Sequence, residues 1–194
     1  LDKRREFRFR IGQSKVPFGF ENLQPSQNRL PLDRNDALNS AVANERDLGV
    51  MFYYAPDKVR KLFASLVQDG YKGSGDYGIV GVGVYNGQTA NKPELNNSSH
   101  FVTRLTYPFK VGGQIVEPSV QMYTGMWSMA KDQLSAGTKT SKSGHYVDER
   151  YAGTFVLYPK PFGIQAEYNI GKGPQYDLQS DSVVTKNLKG GYVT

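Results

Sequence analysis

From Arg4 to Glu21 the chain reads RREFRFRIGQSKVPFGFE, and its first half alternates strictly. Phe7, Phe9 and Ile11 fall on one parity, Arg8 and Arg10 on the other. A period of two marks an extended strand with two unlike faces. Two folds accept such a strand. A soluble sheet buries the apolar face in a core and leaves the arginines in solvent. A membrane barrel turns the apolar face to lipid and the arginines to a water-filled lumen. The alternation alone does not choose between them.

Composition narrows the choice. No apolar run approaches the length of a membrane-spanning helix, which is roughly 18–20 residues. A mean hydropathy of −0.54 also argues against a helical membrane protein. It leaves a barrel open, because half of each barrel strand faces water. The sequence has no cysteine, which excludes a disulfide framework, a thiolate metal site and a cysteine nucleophile. Its 21 glycines, 13 tyrosines and 10 phenylalanines suit a β protein with interfacial aromatics. No charged segment followed by an apolar run opens the chain, so no signal peptide is expected within it. The formal charge is +6 and uneven. Lys3, Arg4, Arg5, Arg8, Arg10 and Lys15 stand against only Asp2 and Glu6 in the first twenty positions, a solvated charged face or an anion-attracting surface.

Eight strands are expected, over 4–13, 47–55, 77–86, 100–108, 115–127, 149–158, 162–169 and 183–194. Connections 109–114 and 159–161 are short; 87–99, 128–148 and 170–182 are longer and polar. In outer-membrane barrels the short turns are periplasmic and the long loops external, so the first strand would run outward. Tyrosines recur at strand ends (Tyr54, Tyr107 and Tyr158; Tyr85, Tyr123 and Tyr168), as two aromatic girdles would require. Ordinary hairpins in a soluble sandwich explain them as well. The stretch 57–68 is expected as an amphipathic helix, with Val59, Leu62, Phe63, Leu66 and Val67 on one stripe and Gly70 as its stop. By strand direction it would plug or cover the periplasmic rim. A shorter helix is expected over 36–43, capped by Asn35 or Asp36.

The pattern G-Q-x-K-x-P-F-G-x-E at Gly12–Glu21, and the run R-L-P-L-D-R-N-D…N-E-R-D-L-G-V at Arg29–Val50, resemble the segment around the inward-folding loop of the phosphate-selective porins (porins O and P). The resemblance implies an all-β fold, an antiparallel up-and-down transmembrane β-barrel, here an arc of a larger barrel of about sixteen strands. Residues 1–194 would be one porin barrel segment, with 16–46 as its inward-folding loop. The implied function is a passive outer-membrane channel for phosphate or polyphosphate in a Gram-negative bacterium, working as a homotrimer in a bilayer with lipopolysaccharide. A structural or adhesive outer-membrane barrel and a soluble β-sandwich binding module remain as other readings.

Arginine suits an anion pore because its planar fork replaces the hydration of a phosphate and its charge does not titrate away. Arg8, Arg10, Lys15, Arg29, Arg34, Arg46 and Arg104 are the expected pore-lining residues, and Lys172 and Lys189 weaker candidates. Glu21 is expected to anchor the loop. Gly73–Gly78 matches G-x-G-x-x-G but follows a helix and opens a strand, the reverse of a dinucleotide site. His100 and His145 make a poor metal pair, and no catalytic cluster stands out, so neither enzyme activity nor a cofactor or metal is expected. Nucleic acid is not expected either, because Phe7 and Phe9 lie opposite the arginines and could not stack bases beside them.

Overall fold

The computed structural model describes residues 3–31, 33–130, 132 and 134–194. Asp2 and Leu32, counted above in the basic segment and the family-like run, lie outside the described residues. Among the described residues nine strands form one antiparallel sheet. They are β1 (Phe7–Lys15), β2 (Arg46–Tyr54), β3 (Val80–Tyr85), β4 (His100–Thr106), β5 (Phe109–Val111), β6 (Gln114–Ser128), β7 (His145–Leu157), β8 (Ile164–Asp177) and β9 (Ser182–Val193). The order is β1-β2-β3-β4-β6-β7-β8-β9, with β5 paired to β6 off this path. The sheet is a meander and it is not closed: β1 and β9 are its edges.

The chain reverses at two unlike ends. The connections 16–45, 86–99 and 129–144 and the turn 178–181 share one end. The other holds 107–113, 158–163 and the segment 55–79, which carries helix α3 (Asp57–Gln68). Helices α1 (Phe20–Leu23) and α2 (Asp36–Ala41) lie in connection 16–45.

Polarity is inverted relative to a soluble sheet. Phe7, Phe9, Ile11, Leu105, Val120, Phe155, Ile164 and Ile170 all lie exposed on one face, Ile11 by as much as 78%. The opposite parity is buried and largely polar: Asp47, Arg104, Glu117, Gln121, Asp148, Arg150, Thr154, Glu167 and Asn169. Strand β3 shows the rule in miniature, with Val82 and Val84 facing out and Gly81 and Gly83 buried. A water-soluble sheet has no reason to expose this much aliphatic and aromatic area while burying carboxylates. A barrel in lipid requires it.

The structure departs from the sequence expectation in several places. Residues 109–111 form β5 rather than part of a plain turn. Strand β8 continues to Asp177, through a stretch whose Gly171, Gly173 and Pro174 suggest a loop. Pairing with β7 ends at Glu149↔Lys172, so beyond Lys172 the strand pairs only with β9, and Pro174 needs no second ladder bond. Pro118 in β6 survives similarly, in the gap between the β4 and β5 pairings. Tyr85, Tyr123 and Tyr158 are buried on the inner face, so they do not form an external girdle. Tyr107 and Tyr168 are exposed on the outer one. Arg150 has the parity of Thr154 and Val156, and that face points inward.

The inner glycines of β3 are needed for space. A Cβ on Gly83 would lie 2.4 Å from both the Met51 sulfur and the Val50 carbonyl oxygen. A Cβ on outward-facing Gly153 of β7 would meet nothing within 4 Å. Gly83→Ala is therefore expected to destabilise the protein by about 1–3 kcal/mol through overpacking. Gly153→Ala should be neutral or stabilise by up to about 1 kcal/mol through reduced chain entropy. Denaturant unfolding followed by the fluorescence of Trp127, the single tryptophan, checks both.

Candidate functional site

The inner face of the sheet is filled by connection 16–45, which enters from the end shared with 86–99 and 129–144. Val16, Phe18, Leu38, Ala41 and Val42 of this loop pack with Met51, Tyr53, Tyr85, Val102, Tyr123 and Ala152 of the inner sheet face. An exposed loop has no use for so many apolar side chains; burying them draws the segment inward. Gly19 is required at its turn. Its φ is +75°, and a Cβ there would collide with the Leu38 side chain.

Polar side chains of three successive long strands then receive the loop backbone. Gln121 of β6 accepts the Gly19 N–H. Glu167 of β8 accepts the Phe20 N–H at 2.7 Å and Asn35 Nδ2 at 3.2 Å. Arg150 of β7 donates to the Ala37 carbonyl at 3.0 Å, to Ser40 Oγ at 2.6 Å and to the Ser40 carbonyl at 3.2 Å. Asp148 holds Arg150 Nε at 2.7 Å and so aims the fork at α2. Sequence reasoning named none of these three as a site residue. Their available signal was a charged or amide side chain on the polar parity of a long alternating strand.

Glu21 is buried within the loop, where its carboxylate accepts the Asn35 N–H at 2.8 Å and Asn35 Nδ2 at 3.1 Å. Asn35 in turn caps α2 through Leu38 N–H. Glu21 thus ties α1 to the start of α2.

The seven basic residues named above have diverse positions. Arg8 and Arg10 lie on the inner parity of β1, opposite Tyr53 and Met51 of β2. The Arg10 guanidinium lies 5.4 Å and 5.2 Å from the ring centres of Tyr53 and Tyr77, and its side chain reaches solvent. Arg8 Nη2 pairs with Asp76 at 2.6 Å. Lys15 and Arg46 pair across β1 and β2 at the loop end, on the parity of Ile11 and Val50, away from the row of Arg8 and Arg10. Lys15 turns to Glu45 at 3.2 Å and to the Gln24 carbonyl at 2.7 Å. Arg29 also pairs with Glu45 and donates to the Glu21 carbonyl at 3.0 Å.

Arg34 and Arg104 do not reach the open space. Arg34 is buried and donates to Asn22 Oδ1 and to the carbonyls of Val42 and Ala43, each at 2.8 Å. Arg104 is 1% exposed and pairs with Glu117 at 3.0 Å. Register also settles the two weaker candidates. Lys189 pairs with outward-facing Ile170, and Lys172 is two residues further along the same face of β8.

The loop root is an ionic clasp. Burial pushes the Glu45 carboxyl up, but Arg29 and Lys15 outweigh it and hold it below the ordinary glutamate value. A lowered folded value means that the clasp stabilises fully above the ordinary value and is lost as pH falls through the lowered one. Amide protection factors across 16–45, referenced to the intrinsic exchange rate at each pH, should therefore fall on acidification below about pH 4. In Glu45→Gln the protection should be low at neutral pH too. Arg150→Gln should cost about 3–5 kcal/mol, because it strands the buried Asp148 carboxylate and frees α2; denaturant unfolding and loop proteolysis read both effects.

An open antiparallel sheet with an apolar outer face, a polar concavity and a loop folded into it is what a porin wall requires. Residues 1–194 match the family described as phosphate-selective porin O and P. No match was found among curated proteins or among solved structures. Porins are channels rather than enzymes, and no group of three metal-ligating side chains occurs among the described residues. The chain belongs to the family of phosphate-selective porins O and P.

Proposed function

We propose that this chain forms part of an anion-selective channel of the Gram-negative outer membrane, through which phosphate or polyphosphate diffuses passively. The observation that carries the reading is the inverted polarity of the sheet, with solvent-reaching arginines Arg8 and Arg10 on the inner parity of β1. An anion entering the concavity leaves part of its hydration behind. One guanidinium at about 4 Å offers roughly 4 kcal/mol at an effective dielectric near 20. A single deep site would trap the ion, so conduction needs several weaker sites in series. Arg8 and Arg10, two residues apart on one strand face, are spaced by about 7 Å along it.

The partners of Arg8 and Arg10 keep each site shallow. Asp76 neutralises part of the Arg8 charge, and the faces of Tyr53 and Tyr77 share the Arg10 charge. Lys15, Arg29 and Arg46 supply positive potential near the loop root. Arg34 and Arg104 act by position: one fixes the loop, the other compensates Glu117 in the wall. The apolar outer face meets the bilayer and its lipopolysaccharide, and family analogy implies a homotrimer. No nucleic acid or cofactor enters this reading.

Arg10→Glu changes the wall charge by two units at an exposed position. The Debye length at 0.1 M salt is about 10 Å, comparable with a narrow pore, so wall charge controls permeation. Reversal potentials of the full-length protein in planar bilayers under a salt gradient should show anion preference for wild type. In Arg10→Glu that preference should fall, and phosphate should block the chloride current less. A wild-type pore without anion preference, or a variant matching wild type in both readouts, would overturn the reading.

A further inference from the structure

Segment 55–79 is far longer than the other connections at its end of the sheet, 107–113 and 158–163. Its helix α3 turns Val59, Phe63 and Leu66 into a second apolar cluster. That cluster includes Val156 and Tyr158 from the β7 end and Phe20 from the inward loop, with Ile115 of β6 packed against it. The segment leaves β2 and returns as β3, yet it reaches the inner surface of β7. It therefore crosses the concavity instead of hanging beneath it.

Polar contacts fix it there. Ser74 Oγ donates to Glu117 at 3.1 Å, and the Tyr158 hydroxyl donates to the same carboxylate at 2.6 Å. Gln24 of the loop donates to the Lys72 carbonyl at 2.7 Å. Asp76 accepts from Arg8 of β1 at 2.6 Å and from Arg60 of α3 at 3.0 Å. Loop and helix thus form one continuous filling, entered from opposite ends. The flank of α3 that faces neither sheet nor loop carries exposed Lys58 and Lys61. Asp57 offsets Lys61 at 2.6 Å, so among the described residues Lys58 supplies the flank's uncompensated charge.

We propose that segment 55–79 is a built-in plug of the short-turn mouth, so that a permeating oxyanion passes two constrictions in series. The second is the basic flank of α3, where Lys58 and Lys61 meet the ion and the Arg8–Asp76–Arg60 bridge holds the helix in place. The proposal rests on the channel reading above.

Residues 1–194 contain no cysteine, so cysteines introduced here test the proposal directly in the full-length protein, with any cysteine elsewhere in that protein replaced by serine. Lys58→Cys, and separately Lys61→Cys, are inserted into planar bilayers and treated with a negatively charged methanethiosulfonate. Modification should cut single-channel current by at least twofold. It should proceed faster from the short-turn side and be slowed by phosphate. Complete modification by mass with unchanged current at both positions would overturn the plug while leaving the channel reading intact. So would excision of 57–75 to a Gly-Ser turn with wild-type conductance and selectivity. A wild-type protein that forms no channel would overturn both.

Discussion

The structure depends on one inversion: apolar side chains face out and polar ones face in. In hydrocarbon, a backbone N–H or C=O without a partner costs several kcal/mol, so only strands paired edge to edge can cross. The side chains then divide by parity. Phe9, Ile11, Val82, Leu105 and Ile170 take the outer face. The inner face is left to Asp47, Glu117, Arg150 and Glu167, which would be unsatisfactory as an ordinary core. Their burial is tolerable because each has been given hydrogen-bonding partners.

Most of those partners are in the connections, so the interior and the loops stabilise each other. The loop 16–45 brings backbone N–H groups and carbonyls to Gln121, Arg150 and Glu167, and apolar side chains to the tyrosines of the wall. A charge-assisted hydrogen bond contributes about 1.5–3 kcal/mol, against about 0.5–1.5 for a neutral one. Stranding one of these charges costs more than making its bond gains. The loop's inward position is thus held by a penalty for leaving as well as by attraction.

The same economy divides the basic residues into two groups. Arg34 donates to carbonyls and Arg104 pairs with a carboxylate through Nη2, and both are shut away from solvent. Arg8 and Arg10 keep access to solvent, but neither is a bare charge: Asp76 flanks one and two tyrosine rings flank the other. Shared charges suit passage better than capture. Segment 55–79 adds another layer, since Asp76 links β1 to α3 and Gln24 links the loop to the same segment.

Much was legible in the sequence. The alternation of Phe7, Phe9 and Ile11 with Arg8 and Arg10, the valine–glycine parity of β3 and the stripe of α3 are local, because the periods of strand and helix belong to the backbone itself. The sequence by itself therefore determined eight of the nine strands, the two faces of most of them and the antiparallel meander, but not β5. The conflicting signals were local too: glycines and a proline concealed the end of β8, where the cost of Pro174 vanishes only because β7 has stopped pairing. Tyrosines at strand ends looked alike in sequence, though Tyr85, Tyr123 and Tyr158 point inward and Tyr107 and Tyr168 outward. Only the tertiary structure decided which charges meet. Arg104 finds Glu117, Arg150 finds α2 of the loop and Arg8 finds Asp76, through cross-strand register and chain reversals that bring residues far apart in sequence together. A cation's role in a pore depends on whether a carboxylate or carbonyl already occupies its donors, and that is fixed by these long-range meetings.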